Sequence, residues 1–313
     1  MRVLLTSTSF QDNKGKHQDL LREQGFEVDT MRGPVIENEL LKVIDQYDAV
    51  LMGDDEFTKT VIEKGKKSKL KVLSKYGVGL DKVDLNACDA NEIIVKNVRG
   101  VNQASVAEHV FALLLTFAKN IYSSIESTRE GHWNRQTGFN LAGKKLGILG
   151  FGNIGKEVAK MAKAFSMDVF VFDKFIDEKL ASNLDLTITS SKEELIQEVD
   201  ILTLHLPLMK ETENTINCEA LKLAKENLIL INTARGGLVN ESDLYDFLTN
   251  NKASAYLADV LRIEPIMHDL KLKNLGNVII TPHIASRTRE NVEIQGLMAV
   301  ENLLSALKEI KNV

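Results

Sequence analysis

Ten short runs of strand-forming residues punctuate the chain, and their spacing decides the fold class before any motif does. "VLLT" begins at residue 3, "AVLM" at 49, "KVLS" at 71, "IIVKN" at 93, "KLGILG" at 145, "DVFVFD" at 168, "DILTLHL" at 200, "NLILINT" at 227, "SAYLADV" at 254 and "NVIITP" at 277. Between most of them lie polar segments with helical spacing, so strands and helices alternate. Alternation of this kind gives parallel sheets covered by helices on both faces, an α/β fold of the doubly wound class. Six runs, from "KLGILG" onward, follow at the intervals of a doubly wound six-strand sheet; the four upstream form a separate set. With 313 residues the chain has material for two domains, each with its own core.

"KKLGILGFGNIG" (144 to 155) lies nearly at mid-chain and places Gly150, Gly152 and Gly155 in G-x-G-x-x-G spacing between a strand and a helical segment. The first glycine permits the tight turn, the second lets backbone approach a pyrophosphate, and the third lets helix pack on strand, with the helix N-terminus facing the phosphates. The next strand ends in Asp173, eighteen positions after Gly155, where a carboxylate can accept hydrogen bonds from the adenosine ribose. That acid repels a 2′-phosphate, so NAD is expected over NADP; Lys174, next in sequence, either softens the preference or is a solvated lysine.

Three polar residues sit at later strand ends, where a doubly wound sheet puts its ligand crevice: Arg235 after "LILINTA", Glu264 in "LRIEP" and His283 after "VIITP". Taken singly, each is an ordinary surface charge or a packed histidine. Placed together beside a nicotinamide cofactor, they meet the needs of hydride transfer. Histidine exchanges a proton near neutrality, a glutamate fixes its tautomer, and an arginine fork binds carboxylate and polarises a carbonyl.

Composition narrows the alternatives. A net charge of -5 disfavours a phosphate-backbone binder, so no nucleic-acid partner is expected. Cys88 and Cys218 have no metal-ligand spacing and read as buried free thiols; no metal is expected. The N-terminal apolar segment is too short for a signal peptide and the longest apolar stretch (110 to 118) is too short for a membrane span, so the expected location is cytoplasmic. The segment 102 to 128 reads as one long buried helix with Ser105 as N-cap, and 288 to 310 as an amphipathic helix opened by Thr288.

The blocks "KYGVGLDKVDL", "NQASVAEH", "LGILGFGNIGKEVA", "HLPLMKET", "NTARGGLVNESDL", "ADVLRIEP" and "NVIITPHIASRT", in this order, resemble the D-isomer-specific 2-hydroxyacid dehydrogenase family. The resemblance implies an NAD-dependent oxidoreductase of a small anionic 2-hydroxy or 2-oxo acid. Arg235 would orient substrate, Glu264 would pair with His283, and His283 would be the acid and base. Cofactor contacts would come from Gly150, Gly152, Asn153, Ile154, Gly155, Asp173, His205, Pro207, Thr212, Thr233, Ala234, Arg235, Asp259 and His283, with Asp259 receiving the nicotinamide carboxamide. The family's arrangement further implies a Rossmann cofactor domain (100–287) inserted into a discontinuous flavodoxin-like substrate domain (1–99 plus 288–313). In the loop "YGVGL", the N–H groups of Val78 and Gly79 would meet the substrate carboxylate.

"VKNVRGV" departs from many relatives, which carry proline and a small residue where Arg99 and Gly100 stand. Lys75 and Arg99 therefore either add positive charge at the substrate end, admitting a phosphate or sulfonate, or are surface residues. The resemblance implies a short form without a C-terminal regulatory domain, and a homodimer with Trp133 as an interface anchor. Candidate substrates are 3-phosphoglycerate and glycerate or hydroxypyruvate foremost, then glyoxylate and sulfolactate. Phosphite or formate oxidation within the same family, and an NAD-sensing corepressor-like binding protein, are the alternatives.

Overall fold

The computed structural model describes residues 1–311 and divides into two compact units, Met1–Asn102 with the chain from Arg287 onward, and Gln103–Ser286. In the first unit, β1 (Arg2–Leu5), β2 (Glu27–Thr30), β3 (Ala49–Met52), β4 (Val72–Lys75) and β5 (Ile94–Asn97) form a parallel sheet of order β2-β1-β3-β4-β5. This is the flavodoxin-like order. Its interior strands are apolar on both faces because both faces are covered. Leu4, Val50 and Leu73 pack with Leu40, Ile44, Phe57 and Ile62, whereas Val3, Leu5, Leu51 and Val72 pack with Phe10, Ala299, Val300 and Leu303. The last of these belong to the helix Arg289–Lys311, so the C-terminal helix is part of this core. Full burial of each such aliphatic side chain contributes roughly 1.5–3 kcal/mol.

The second unit holds β6 (Lys145–Leu149), β7 (Asp168–Phe172), β8 (Thr187–Ile188), β9 (Ile201–Leu204), β10 (Ile229–Asn232), β11 (Ala255–Ala258) and β12 (Val278–Ile280). All are parallel, in the order β12-β11-β10-β9-β6-β7-β8. Counted from β6 as the first strand this is the Rossmann order 3-2-1-4-5-6 with one more strand at the far edge. Leu146 and Ile148 face the helix Gln103–Ala118 through Phe111 and Leu114, and Leu149, Leu202 and Leu230 fill the opposite face.

Four sequence expectations are corrected here. The sheets have five and seven strands, not four and six, because β2 ("EVDT") and the two-residue β8 are edge strands with exposed or half-exposed side chains and so show no apolar run. The single helix expected over 102–128 is two, Gln103–Ala118 and Ile121–Arg129, parted at Asn120, whose φ of 52° is a left-handed conformation that asparagine tolerates. Ser105 lies inside the first of them rather than capping it. Cys88 is buried but Cys218 is exposed, since it starts the short helix Cys218–Leu223. Thr288 does cap the last helix, its Oγ1 accepting from Asn291 N at 3.3 Å. No helix among the described residues is long and apolar enough to cross a membrane.

Candidate active site

In the second unit the strand order reverses between β6 and β9, and a doubly wound sheet opens its crevice beyond the carboxyl ends of such a pair. Gly150 follows β6 with φ +105°, and a Cβ there would stand 2.7 Å from the backbone carbonyl of His205, which follows β9. A Cβ on Gly155 would stand 2.2 Å from Gly150 O, so the helix Asn153–Ala164 can approach the turn only through a glycine. Gly152 is different: nothing lies within 4 Å of its absent Cβ. Two glycines are required by the protein itself and the third leaves space above the turn. Asn153 and Ile154 form the helix's first turn, their N–H ends aimed at that space. Asp173 ends β7 and binds the turn directly, Oδ2 accepting from Phe151 N at 2.6 Å and Oδ1 from Phe175 N at 2.8 Å. Lys174 lies over the exposed ring of Phe175, 5.6 Å from its centroid.

Two buried polar atoms beside this turn have no partner among the described residues: His205 Nδ1 and Thr233 Oγ1, at the ends of β9 and β10. The open space over Gly152, the helix N-terminus and these unsatisfied atoms fit a dinucleotide. His205 Nε2 lies 3.0 Å from Thr203 Oγ1, and burial of the ring lowers its pKa to about 3. Pro207 and Thr212 close their own loop, the Thr212 hydroxyl donating to Pro207 O at 2.6 Å and accepting from Met209 N at 2.8 Å.

The depressed pKa of His205 makes acid stability a test of its burial. The unfolded chain takes up a proton near pH 6.5 and the folded chain only near pH 3, so stability is full above pH 6.5 and declines as the pH falls between those values. Between pH 6.5 and 4.5 the loss is about 2 kcal/mol. Chemical denaturation of the cofactor-free protein is expected to show this slope, and His205→Asn is expected to flatten it; equal slopes in the two proteins would contradict the burial.

The catalytic candidates lie on the carboxyl ends of β10, β11 and β12. Arg235 is half-buried, with Nη1 donating to Ala234 O at 2.8 Å; its own carbonyl accepts from Asn232 Nδ2 at 2.9 Å. The next residue, Gly236, passes so close to Leu261 that a Cβ would stand 1.9 Å from its carbonyl carbon, which sets the arginine loop against the loop bearing Glu264. Glu264 Oε1 accepts from Leu261 N at 2.9 Å, and Oε2 lies 2.8 Å from His283 Nδ1. The carboxylate is thereby fixed on one side by backbone and on the other by the imidazole. His283 adopts φ +54°, a left-handed conformation costly for a side chain with a Cβ, and its N–H donates to Asp259 O at 2.9 Å.

Asp259 explains how that conformation is held. It is 1% exposed, and its carboxylate accepts from Thr281 Oγ1 at 2.6 Å, Ile284 N at 2.9 Å and Ala285 N at 2.7 Å. Burial raises its pKa, but these bonds and His109 outweigh burial and leave the group below the ordinary carboxylate range. His109 Nε2 also lies 2.9 Å from Thr281 Oγ1. The sequence reading gave His109 and Thr281 no role, although both lie inside motif blocks.

In the first unit the order reverses between β1 and β3, and Thr6 and Gly53 meet there, Gly53 N donating to Thr6 Oγ1 at 3.2 Å. Lys75 ends the neighbouring β4. It is not a surface residue: it is 3% exposed, with Nζ donating to Gly53 O and to Asp54 Oδ1, both at 2.5 Å. The loop 76–80 follows, tied down by Asn97 Nδ2 donating to Val78 O at 2.6 Å and Val98 N to Gly77 O at 2.9 Å. Among the described residues, the N–H groups of Val78 and Gly79 donate to no acceptor. Arg99 is exposed and reaches the loop only through Asn97, donating to Asn97 Oδ1 at 3.1 Å. No cluster of three or more metal-ligating side chains occurs among the described residues.

Residues 111–285 match the family model described as D-isomer specific 2-hydroxyacid dehydrogenase, NAD binding domain. The D-3-phosphoglycerate dehydrogenase of Methanocaldococcus jannaschii is 36% identical over 296 residues, 93% of this chain and 56% of its own length; the chain thus spans little more than half of that relative. The hydroxypyruvate reductase of Thermotoga maritima is 37% identical over 276 residues, 86% of this chain and 88% of its own. Among solved structures, the TT0316 protein of Thermus thermophilus superposes with a TM-score of 0.85 at 36% identity, over 99% of this chain and 97% of its own. The match spans the turn at Gly150–Gly155 and the unsatisfied atoms beside it. The chain belongs to the D-isomer specific 2-hydroxyacid dehydrogenase family.

Proposed function

We propose that the protein is an NAD-dependent D-2-hydroxyacid dehydrogenase that works as a 2-oxoacid reductase, with glycerate or hydroxypyruvate and 3-phosphoglycerate as the substrate class. The observation that carries the reading is the His283 Nδ1–Glu264 Oε2 contact of 2.8 Å, with Glu264 itself held by Leu261 N. When bound, NAD supplies the two-electron acceptor, and NADH the donor. With Nδ1 engaged by the carboxylate, His283 Nε2 is the atom that takes the C2 hydroxyl proton in oxidation and returns it to the carbonyl oxygen in reduction. The Arg235 guanidinium holds the substrate carboxylate and polarises the carbonyl. The free N–H groups of Val78 and Gly79 serve as anion donors, with Lys75 supporting their loop and Arg99 acting through Asn97.

Gly150, Gly152, Asn153, Ile154 and Gly155 are assigned to the pyrophosphate, Asp173 to the ribose, and His205, Pro207, Thr212, Thr233 and Ala234 to the rest of the cofactor. To Asp259 we assign the fixing of Thr281–Ala285 in place of a direct contact to nicotinamide, since its oxygens already accept from protein donors. The reading gives the substrate role to residues 1–99 plus 288–313 and the cofactor role to 100–287. It includes a homodimer, supported by the helix Ile121–Arg129, which buries no residue, and by Trp133, 79% exposed. It also includes a cytoplasmic location, where the exposed Cys218 stays reduced.

The test is a panel of 2-oxo acids with NADH and NADPH, followed by absorbance, beside phosphite and formate with NAD. Oxidation of NADH by hydroxypyruvate or its 3-phosphate, at least about tenfold better than of NADPH, is expected. NADH formation from phosphite or formate, with every 2-oxo acid inert, would overturn the reading.

A further inference from the structure

The segment that follows β11 carries Glu264, yet little apolar packing holds it. From residue 262 to 271 no side chain is buried, and Ile263, Ile266 and Met267 are about half exposed. With few buried contacts, the position of such a segment rests on its polar ties. Leu261 N donates to Glu264 Oε1 at 2.9 Å, and Arg262 N donates to Glu241 Oε1 at 2.8 Å. The Arg262 side chain adds a tie to a different loop. Its Nη1 donates to Glu213 Oε1 at 3.1 Å and its Nη2 to Asn214 Oδ1, so the guanidinium fork takes oxygens from two adjacent residues and fixes direction as well as distance.

The loop that Arg262 reaches, 207–215, follows β9 in the same unit and contains Pro207 and Thr212, both assigned to the cofactor. It is closed on itself, Glu213 N donating to Met209 O at 2.9 Å and Thr215 Oγ1 to Thr212 O at 2.8 Å. Asn214 has φ +51°, a left-handed conformation that asparagine tolerates, and its N–H donates to Gly237 O at 2.9 Å. Any displacement of Thr212 therefore carries Glu213 and Asn214 with it. With Arg262 36% and Glu213 49% exposed, their ion pair adds little to global stability, so stability does not account for the fork. Placement does. Glu264 must meet His283 within hydrogen-bond reach, and an error of about 1 Å near reacting atoms costs up to about 100-fold in rate.

Resting on the proposed reductase reading, we propose that Arg262 is a positioning residue that ties the Glu264 loop to the cofactor loop 207–215, so that filling the cofactor site steadies the Glu264–His283 pair. It acts through Glu264 on one side and through Glu213 and Asn214 on the other.

Amide exchange and kinetics on wild type, Arg262→Met, Arg262→Lys and Glu213→Ala test this. With saturating NADH, the peptide spanning 260–268 of wild type is expected to exchange about fivefold more slowly, and that of Arg262→Met less than about twofold more slowly. In reduction of the best 2-oxo acid of the panel, Arg262→Met is expected to lower kcat about tenfold, with KM for that acid changed less than about threefold. Its melting temperature is expected to stay within about 3 °C of wild type. Arg262→Lys, which keeps the charge but not the fork, is expected to fall between. Glu213→Ala combined with Arg262→Met is expected to match Arg262→Met alone within about twofold in kcat. Equal protection by NADH in wild type and Arg262→Met, or an unchanged kcat, would overturn the inference. A lower kcat with a larger fall in melting temperature would reduce Arg262 to a role in the fold, and additive losses in the double variant would place its effect outside this tie; both also overturn the inference while the reductase reading stands. Wild type inert toward every 2-oxo acid would overturn the reductase reading itself, and amide exchange, which needs no turnover, would still decide the coupling.

Discussion

Replacing His283 by alanine is expected to lower kcat for 2-oxoacid reduction by about 10³–10⁴-fold while NADH affinity changes less than about threefold. The expectation follows from position. His283 is held by its backbone to Asp259 O and by Nδ1 to Glu264, and Nε2 is the ring nitrogen to which the proton exchange is assigned. The turn at Gly150–Gly155 and the atoms at Asp173, His205 and Thr233 are untouched by the change. Fluorescence titration with NADH separates binding from turnover. Retained turnover would remove His283 from the chemistry, and lost NADH binding would show that its role is architectural.

The second large effect is expected at Asp259, through stability as well as rate. In Asp259→Asn one carboxylate oxygen becomes an NH2 group that must face donors: Ala285 N on one side, or Ile284 N and the Thr281 hydroxyl on the other. A buried donor set against donors costs about 2–4 kcal/mol. The native carboxylate has a lowered pKa, so its contribution is complete above the ordinary carboxylate range and is lost as pH falls below it. At neutral pH the variant is expected to melt about 5–10 °C lower and, because the 281–285 backbone carries His283, to lose at least about tenfold in kcat. A melting temperature and kcat equal to wild type would contradict the account of Asp259.

How much of this was legible in the sequence depended on what kind of signal each part leaves. The buried strands announce themselves because both faces are apolar, as Val3, Leu4 and Leu5 show. The edge strands β2 and β8 leave no such run, since solvent takes one face or both. The glycine turn was readable because its demands are local: Gly150 and Gly155 are each forced by backbone within a few ångströms. Arg235, Glu264 and His283 were recognised by type and strand-end position, and the Glu264–His283 contact lies within reach of that logic. The left-handed backbone of His283, the saturation of Asp259 and the role of His109 come from residues 22 or more positions apart in sequence and have no pattern to betray them. For Lys75 the sequence leaves two readings open, because lysine is ordinarily exposed; here the end of β4 and the carbonyl of Gly53 enclose it, and Asp54 supplies the charge that makes burial tolerable.

In the proposed reaction a hydride passes between the nicotinamide of NAD and C2 of a hydroxy acid, and a proton passes through His283. Reduction of hydroxypyruvate with NADH carrying deuterium at both C4 positions of the nicotinamide, with the product resolved by chirality and mass, separates the outcomes. D-glycerate carrying one deuterium on C2 is expected, with no label transfer above background with His283→Ala. L-glycerate, or D-glycerate without deuterium at C2, would contradict it.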